Sequence, residues 1–113
     1  MNHNIIGIIG AMHEEIEQCL GHMEQVEEKQ LASLTYYTGR LHQQQVVLCQ
    51  SGVGKVNAAI CTQIMIDHFK VNQVIFTGVA GGVDPKLNIG DIVISTDCQQ
   101  HDIDASAIDA LNV

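Results

Sequence analysis

Three carboxylates, Glu14, Glu15 and Glu17, follow the apolar run Ile5-Ile6-Gly7-Ile8-Ile9 and the small pair Gly10-Ala11. A carboxylate just past the tip of a strand can serve as a general base toward a water held beside a ligand. Glu15 is the candidate, because that position would share one rim of the sheet with Thr77-Gly78-Val79-Ala80-Gly81-Gly82. Small or absent side chains in this second stretch allow tight turning and close approach of a ligand to the main chain. A strand ending in a glycine-rich turn is also where open α/β sheets tend to hold small molecules. The same three acids equally fit the first turns of a helix, whose dipole favours negative charge. Residue types alone leave both readings open.

Other groups with chemical potential carry less. Ser51-Gly52-Val53-Gly54-Lys55 has the look of a phosphate loop but lacks the full spacing, and Val56 stands where a magnesium-binding hydroxyl would be needed. No GxGxxG follows the first strand, so a dinucleotide fingerprint is absent. Cys98, His101, Asp102 and Asp104 match no standard zinc or calcium spacing and read as a polar loop. His3, His13, His22, His42 and His68 are scattered singly, as solvated side chains are. The four cysteines are widely spaced without a CxxC pair and three lie in apolar patterns, which fits free thiols in a reducing compartment.

The elements that must position these groups follow from hydrophobic spacing. Ile5–Ile9 reads as a central strand. Met12 to about Glu27 is expected to be helical, with Met12, Ile16, Cys19, Leu20 and Met23 on one face. Leu31–Leu41 reads as an exposed strand, turning at His42–Gln45 into a strand over Val46–Cys49. A second helix is expected from about Val56 to Phe69; with Val56, Ala59, Ile60, Ile64 and Met65 on most of its faces, it should be well buried. Val74-Ile75-Phe76 reads as a short buried strand and Ile92-Val93-Ile94 as another, with turns at Asp84-Pro85 and Asn88–Asp91 between them. The order is that of an α/β layer fold.

At 113 residues the chain fits one domain, and 46% hydrophobic residues with a single Pro argue against disorder. A net charge of −8 disfavours nucleic-acid and anionic-membrane partners. No apolar run reaches membrane-spanning length and the N-terminus lacks a basic, signal-type segment, so cytoplasmic residence is the expectation. The residues from Asp102 to Leu111 would begin a helix with nothing after it to pack against, and the chain reads as cut short, with an unpaired sheet edge.

Five segments in order resemble one family: IIGIIGAMHEEI at 5–16, SGVGKVNAA at 51–59, TGVAGGV at 77–83, NIGDIVIS at 88–95 and QHDIDASA at 100–107. The family is the 5′-methylthioadenosine/S-adenosylhomocysteine nucleosidases, within the purine nucleoside phosphorylase superfamily. The resemblance implies a three-layer α/β/α sandwich around a mixed sheet, of which residues 1–113 would be the N-terminal part of a single nucleosidase domain. It implies a homodimer, a small-molecule nucleoside substrate, no cofactor and no metal. The activity implied is hydrolysis of the N-glycosidic bond to adenine and a thioribose, with Glu15 activating the water. Ala11 and Met12 would lie near the ribose, Val53 near the water and sugar, and Val79, Ala80 and Gly81 would cradle purine and ribose.

Three departures accompany the resemblance. Val79 stands where many members carry Ser, Ile108-Asp109 replaces the usual Phe-Gly that caps the neighbouring subunit's pocket, and the chain stops at Val113. In the family the aspartate that protonates adenine and the glutamate that holds the ribose lie in the C-terminal half. The 113 residues alone are therefore expected to be inactive or weak. A non-catalytic fragment or association module is the alternative, with a related phosphorylase or futalosine-type hydrolase as a further one. Related phosphorylases place a phosphate-binding Arg near Phe76, and Arg40 is the only arginine here, which favours water over phosphate as the acceptor.

Overall fold

The computed structural model describes residues 4–99, and the expectations for Gln100 onward lie outside them. The chain falls into two compact units, one running to Ala80 and the other starting at Gly81.

In the first unit the order is β1 (Ile5–Gly10), α1 (His13–His22), β2 (Glu24–Leu31), β3 (Leu34–Leu41), β4 (Gln44–Gln50), α2 (Lys55–Asp67) and β5 (Gln73–Thr77). The strands form one mixed sheet in the order β2-β3-β4-β1-β5. β1 runs parallel to β4 and to β5, whereas β3 is antiparallel to β2 and to β4. Central β1 is apolar at every side-chain-bearing position because both of its faces are covered. Ile8 joins Val46, Leu48, Ile16 and Met23 on the α1 side, and Ile9 joins Val47, Cys49, Tyr36, Cys61 and Met65 on the α2 side. Strand alternation thus gives each helix its own face of the sheet.

The glycines of β1 set how near the helices come. A Cβ at Gly7 would lie 2.6 Å from the Met65 sulfur, and one at Gly10 would lie 2.6 Å from the Ile16 side chain. Both hairpins close through two residues with positive φ, Ala32-Ser33 between β2 and β3 and His42-Gln43 between β3 and β4. That arrangement matches the twist of the flanking strands.

Four expectations for the first unit are corrected. The first helix stops at His22, and Glu24–Leu31, expected to begin within it, is an edge strand exposed along nearly its whole length. Its Glu, Gln and Lys residues carry no strand signature; pairing with β3 imposes the conformation, and the charges suit an unprotected edge. The second helix is not buried on most faces: only Cys61 and Met65 are fully covered, and Val56, Ile60 and Ile66 are exposed. It meets the sheet along one stripe. Val74, Ile75 and Phe76 form the expected strand, but at the other edge of the sheet, where they are 40%, 50% and 57% exposed. Finally, Tyr36 makes its expected exposed strand partly a core strand, being fully buried against the Phe69 ring at 5.0 Å between centroids.

The second unit, over its described residues, is built of turns. Asp84 accepts from the Lys86 N–H through its side chain at 2.9 Å and from the Leu87 N–H through its carbonyl at 3.0 Å. Asp91 closes the next turn by accepting from the Asn88 N–H at 2.8 Å, with Gly90 at φ 96° supplying the left-handed step. Both expected turns are present. The expected strand at Ile92–Ile94 is not: these residues are exposed and without regular structure. Among the described residues no helix is long and apolar enough to cross a membrane.

Candidate active site

β1 ends at Gly10, and the chain bends through Ala11 and Met12 into α1. The first N–H groups of a helix have no partner within it. Glu15, in the first turn, folds back to the cap and the residue before it: its Oε2 accepts from the Met12 N–H at 3.0 Å and the Ala11 N–H at 2.5 Å. This is the carboxylate arm of a capping box, in which a glutamate three residues into the helix satisfies the cap residue's own N–H. Its Oε1 accepts from the Val79 N–H at 3.2 Å, just beyond β5. Parallel pairing of Gly10 with Thr77 brings the two chain segments level.

The Glu15 carboxyl is held below the ordinary carboxylate range. The Met12 N–H is the main cause, the Ala11 and Val79 N–H groups add to it, and partial desolvation opposes them. The side chain is therefore ionised at neutral pH. An ionised carboxylate has about four acceptor positions. Three are taken by main-chain N–H groups, two on Oε2 and one on Oε1, leaving Oε1 able to accept from a small polar molecule.

The structure brings together Glu15, Ala11, Met12 and Val79, with the last three contributing main-chain donors rather than side chains. Ala80 follows Val79 at the end of the first unit and is exposed, whereas Gly81 belongs to the second unit. Val53 is exposed in the turn before α2; that turn is tied to the end of β1 by the Ser51 N–H, which donates to the Gly10 carbonyl at 2.9 Å. Gly52 and Gly54 in the same turn take φ of 83° and 103°, so its glycines serve the backbone path.

Reading residue types missed the donor role of Ala11 and Met12, because Glu15 supplies only the acidic half of the capping signature and Met12 lacks the polar side chain that completes it. It put Gly78 on the same rim as Glu15, as the structure does, but did not show that Gly78 and Gly10 leave the clearance the carboxylate occupies. A Cβ at Gly78 would lie 3.2 Å from Glu15 Oε1, and one at Gly10 would lie 3.0 Å from Glu15 Cβ. Two surface hollows, of about 280 Å³ beside Leu31 and Ile64 and about 220 Å³ beside His13 and Tyr37, include neither Glu15 nor Val79. Among the described residues no three His, Cys, Asp or Glu side chains gather as a metal site would require. Of the loop Cys98, His101, Asp102 and Asp104, only Cys98 falls among the described residues, as an exposed free thiol.

Residues 5–110 match the model of the phosphorylase superfamily. The chain is 48% identical over 103 residues to a 5′-methylthioadenosine/S-adenosylhomocysteine nucleosidase of Staphylococcus aureus, covering 91% of this chain and 45% of the relative. Its structure is similar to that of the S-adenosylhomocysteine nucleosidase of Streptococcus pyogenes, solved with 5-methylthiotubericidin. The TM-score is 0.92 at 44% identity, covering 96% of this chain and 46% of that one. A futalosine hydrolase mutant of Helicobacter pylori is also similar, with a TM-score of 0.85 at 36% identity over 94% of this chain and 48% of that one. The chain spans about half the length of the curated relatives it matches. With this sheet, and with this match along 106 of its residues, the chain belongs to the phosphorylase superfamily and resembles the N-terminal portion of its methylthioadenosine/adenosylhomocysteine nucleosidases.

Proposed function

We propose that this chain carries the water-activating half of an N-glycosidase site, acting on 5′-methylthioadenosine and S-adenosylhomocysteine to give adenine and a thioribose. The observation that carries this reading is the Glu15 carboxylate, anchored ionised at the tip of β1 with one Oε1 acceptor position left over. Breaking an N-glycosidic bond develops positive charge on the sugar as the base departs. A fixed anion close by stabilises that charge, and an aligned water completes the substitution. In this scheme water donates a hydrogen bond to Oε1, its oxygen attacks the anomeric carbon, and Glu15 takes the released proton. The three N–H groups that keep Glu15 ionised also make it a weaker base. Its contribution is then strongest late, when the attacking oxygen has become acidic. The side chains of Met12 and Val53, with Val79, Ala80 and Gly81, would line the nucleoside's place. The 113 residues would form the first part of a single domain whose complete form is a three-layer sandwich working as a homodimer.

Adenine release from methylthioadenosine, followed with and without phosphate, tests the reading. The resemblance implies that the proton donor to adenine and the ribose clamp come from the family's C-terminal half, so the 113 residues alone should release adenine at only a trace of an ordinary enzymatic rate. Supplying the C-terminal half of a nucleosidase relative as a separate polypeptide should raise that rate, and Glu15→Gln should abolish the gain. A rate that needs phosphate, or one indifferent to Glu15→Gln, would contradict the proposal.

The exposed apolar edge strand β5 favours a second reading, in which the chain is a non-catalytic association module. Light scattering after size-exclusion chromatography separates the two: a monodisperse monomer counts against association.

A further inference from the structure

Gly78 sits where a side chain would be expected to cost little on conformational grounds. Gly52, Gly54 and Gly90 take positive φ, the left-handed region that favours glycine, but Gly78 does not. Its backbone is open to any residue. What distinguishes it is space: a Cβ built there would stand 3.2 Å from Glu15 Oε1, 3.2 Å from the Phe76 ring and 3.6 Å from the Glu15 carboxyl carbon. The adjacent peptide N–H, that of Val79, reaches the same Oε1 across 64 residues of sequence at 3.2 Å. This bond is the longest of the three that hold the carboxylate. A methyl group at residue 78 would press on the oxygen that accepts it.

We propose that Gly78 is a positioning residue for Glu15: its missing side chain is what lets the carboxylate bridge from the start of α1 to the Val79 N–H. The proposal rests on the reading of Glu15 as the water-activating group and adds where that group's second anchor comes from. The first anchor, at Ala11 and Met12, is local to the helix and fixes Oε2. Only the second ties Oε1, the oxygen with an acceptor position to spare, to the β5 side of the rim. Gly10 plays a different part, since a Cβ there would meet the Ile16 side chain at 2.6 Å and lift α1 from the sheet.

An NMR pH titration of the 113-residue chain tests this without any turnover. In the wild type, the amide protons of Ala11, Met12 and Val79 should all shift with the midpoint of the Glu15 carboxyl carbon. In Gly78→Ala, Val79 should lose that response while Ala11 and Met12 keep it. The Glu15 midpoint should also rise, because one of three donors to the ionised form is gone. Gly21→Ala, where a Cβ meets nothing within 4 Å, should leave all four signals as in the wild type. The proposal is overturned if the Val79 amide still follows Glu15 in Gly78→Ala, or follows no carboxylate in the wild type. It is overturned too if Gly78→Ala loses the dispersed spectrum of a folded chain, since the glycine would then serve folding rather than one carboxylate. None of these readings involves adenine, so this inference and the hydrolase assignment can fail separately.

Discussion

Gly7 lies directly beneath Met65: a methyl group on the strand would come within 2.6 Å of the methionine sulfur, and both residues are central to the contact between β1 and α2. The glycine is there for room, and Met65, fully buried, has filled it. Gly7→Ala should therefore destabilise the fold by about 1–2 kcal/mol, toward the lower end of the cost of overpacking because a methionine can adjust. The denaturant midpoint should fall with an unchanged slope. Adding Met65→Leu, which replaces the thioether sulfur and its terminal methyl by two branched methyl groups, should give an effect different from the sum of the two single changes, because the two residues touch.

Tyr36 is the mirror case, a group with too few partners rather than too little space. Its ring packs on Phe69, yet its hydroxyl has no hydrogen-bond partner among the described residues and lies toward the Cys49 and Cys61 thiols. Burial pushes the phenol well above its ordinary range, so it stays neutral. Tyr36→Phe removes a buried polar group that gains little in return and should stabilise the chain by about 1 kcal/mol. A rise in thermal midpoint checks it; a fall would show that the thiols are better acceptors than sulfur usually is.

The turn at His42-Gln43 uses two side-chain-bearing residues at φ 50° and 67°. Asn-Gly is the pair that takes this conformation most readily. Replacing both residues should raise stability by about 1–2 kcal/mol, read as an upward shift in thermal midpoint. The Gln43 carbonyl, which accepts from the Arg40 guanidinium at 3.0 Å, is retained.

Glu15 gives the pH dependence a definite sign. Its pKa is lower in the folded chain than in the unfolded one, so the unfolded state binds the proton more readily. Its stabilising contribution is present above the ordinary carboxylate range and is lost as pH falls through the depressed folded value. Urea midpoints compared between wild type and Glu15→Gln should differ most at neutral pH and converge in acid. A difference that grows on acidification would contradict the assignment.

How far the sequence reached can be judged from particular residues. Ile5–Ile9, with no polar interruption, announced a doubly covered central strand, and the glycine-rich turn after Phe76 announced the rim opposite Glu15. Glu24–Leu31 was hidden because its charged residues favour helix or coil, and only pairing with β3 makes it a strand. Val74–Phe76 misled in the other direction: three consecutive apolar residues imply burial, but the strand's place at the sheet edge leaves them exposed. The pairing of Glu15 with Val79 depends on the parallel register of β1 with β5, which no local pattern encodes. Gly78 and Gly10 were visible as glycines, but not as clearances. That distinction requires knowing what stands beside them.

Because the carboxylate hangs on peptide groups, its attachment is indifferent to what residues 11, 12 and 79 carry beyond their Cβ atoms. Of the ordinary amino acids, only proline deletes such a donor outright. Under the proposed function, drift at these three sites would reshape the wall offered to a nucleoside while the acidic anchor persists, so a lineage could retune its selectivity without first losing the proposed base.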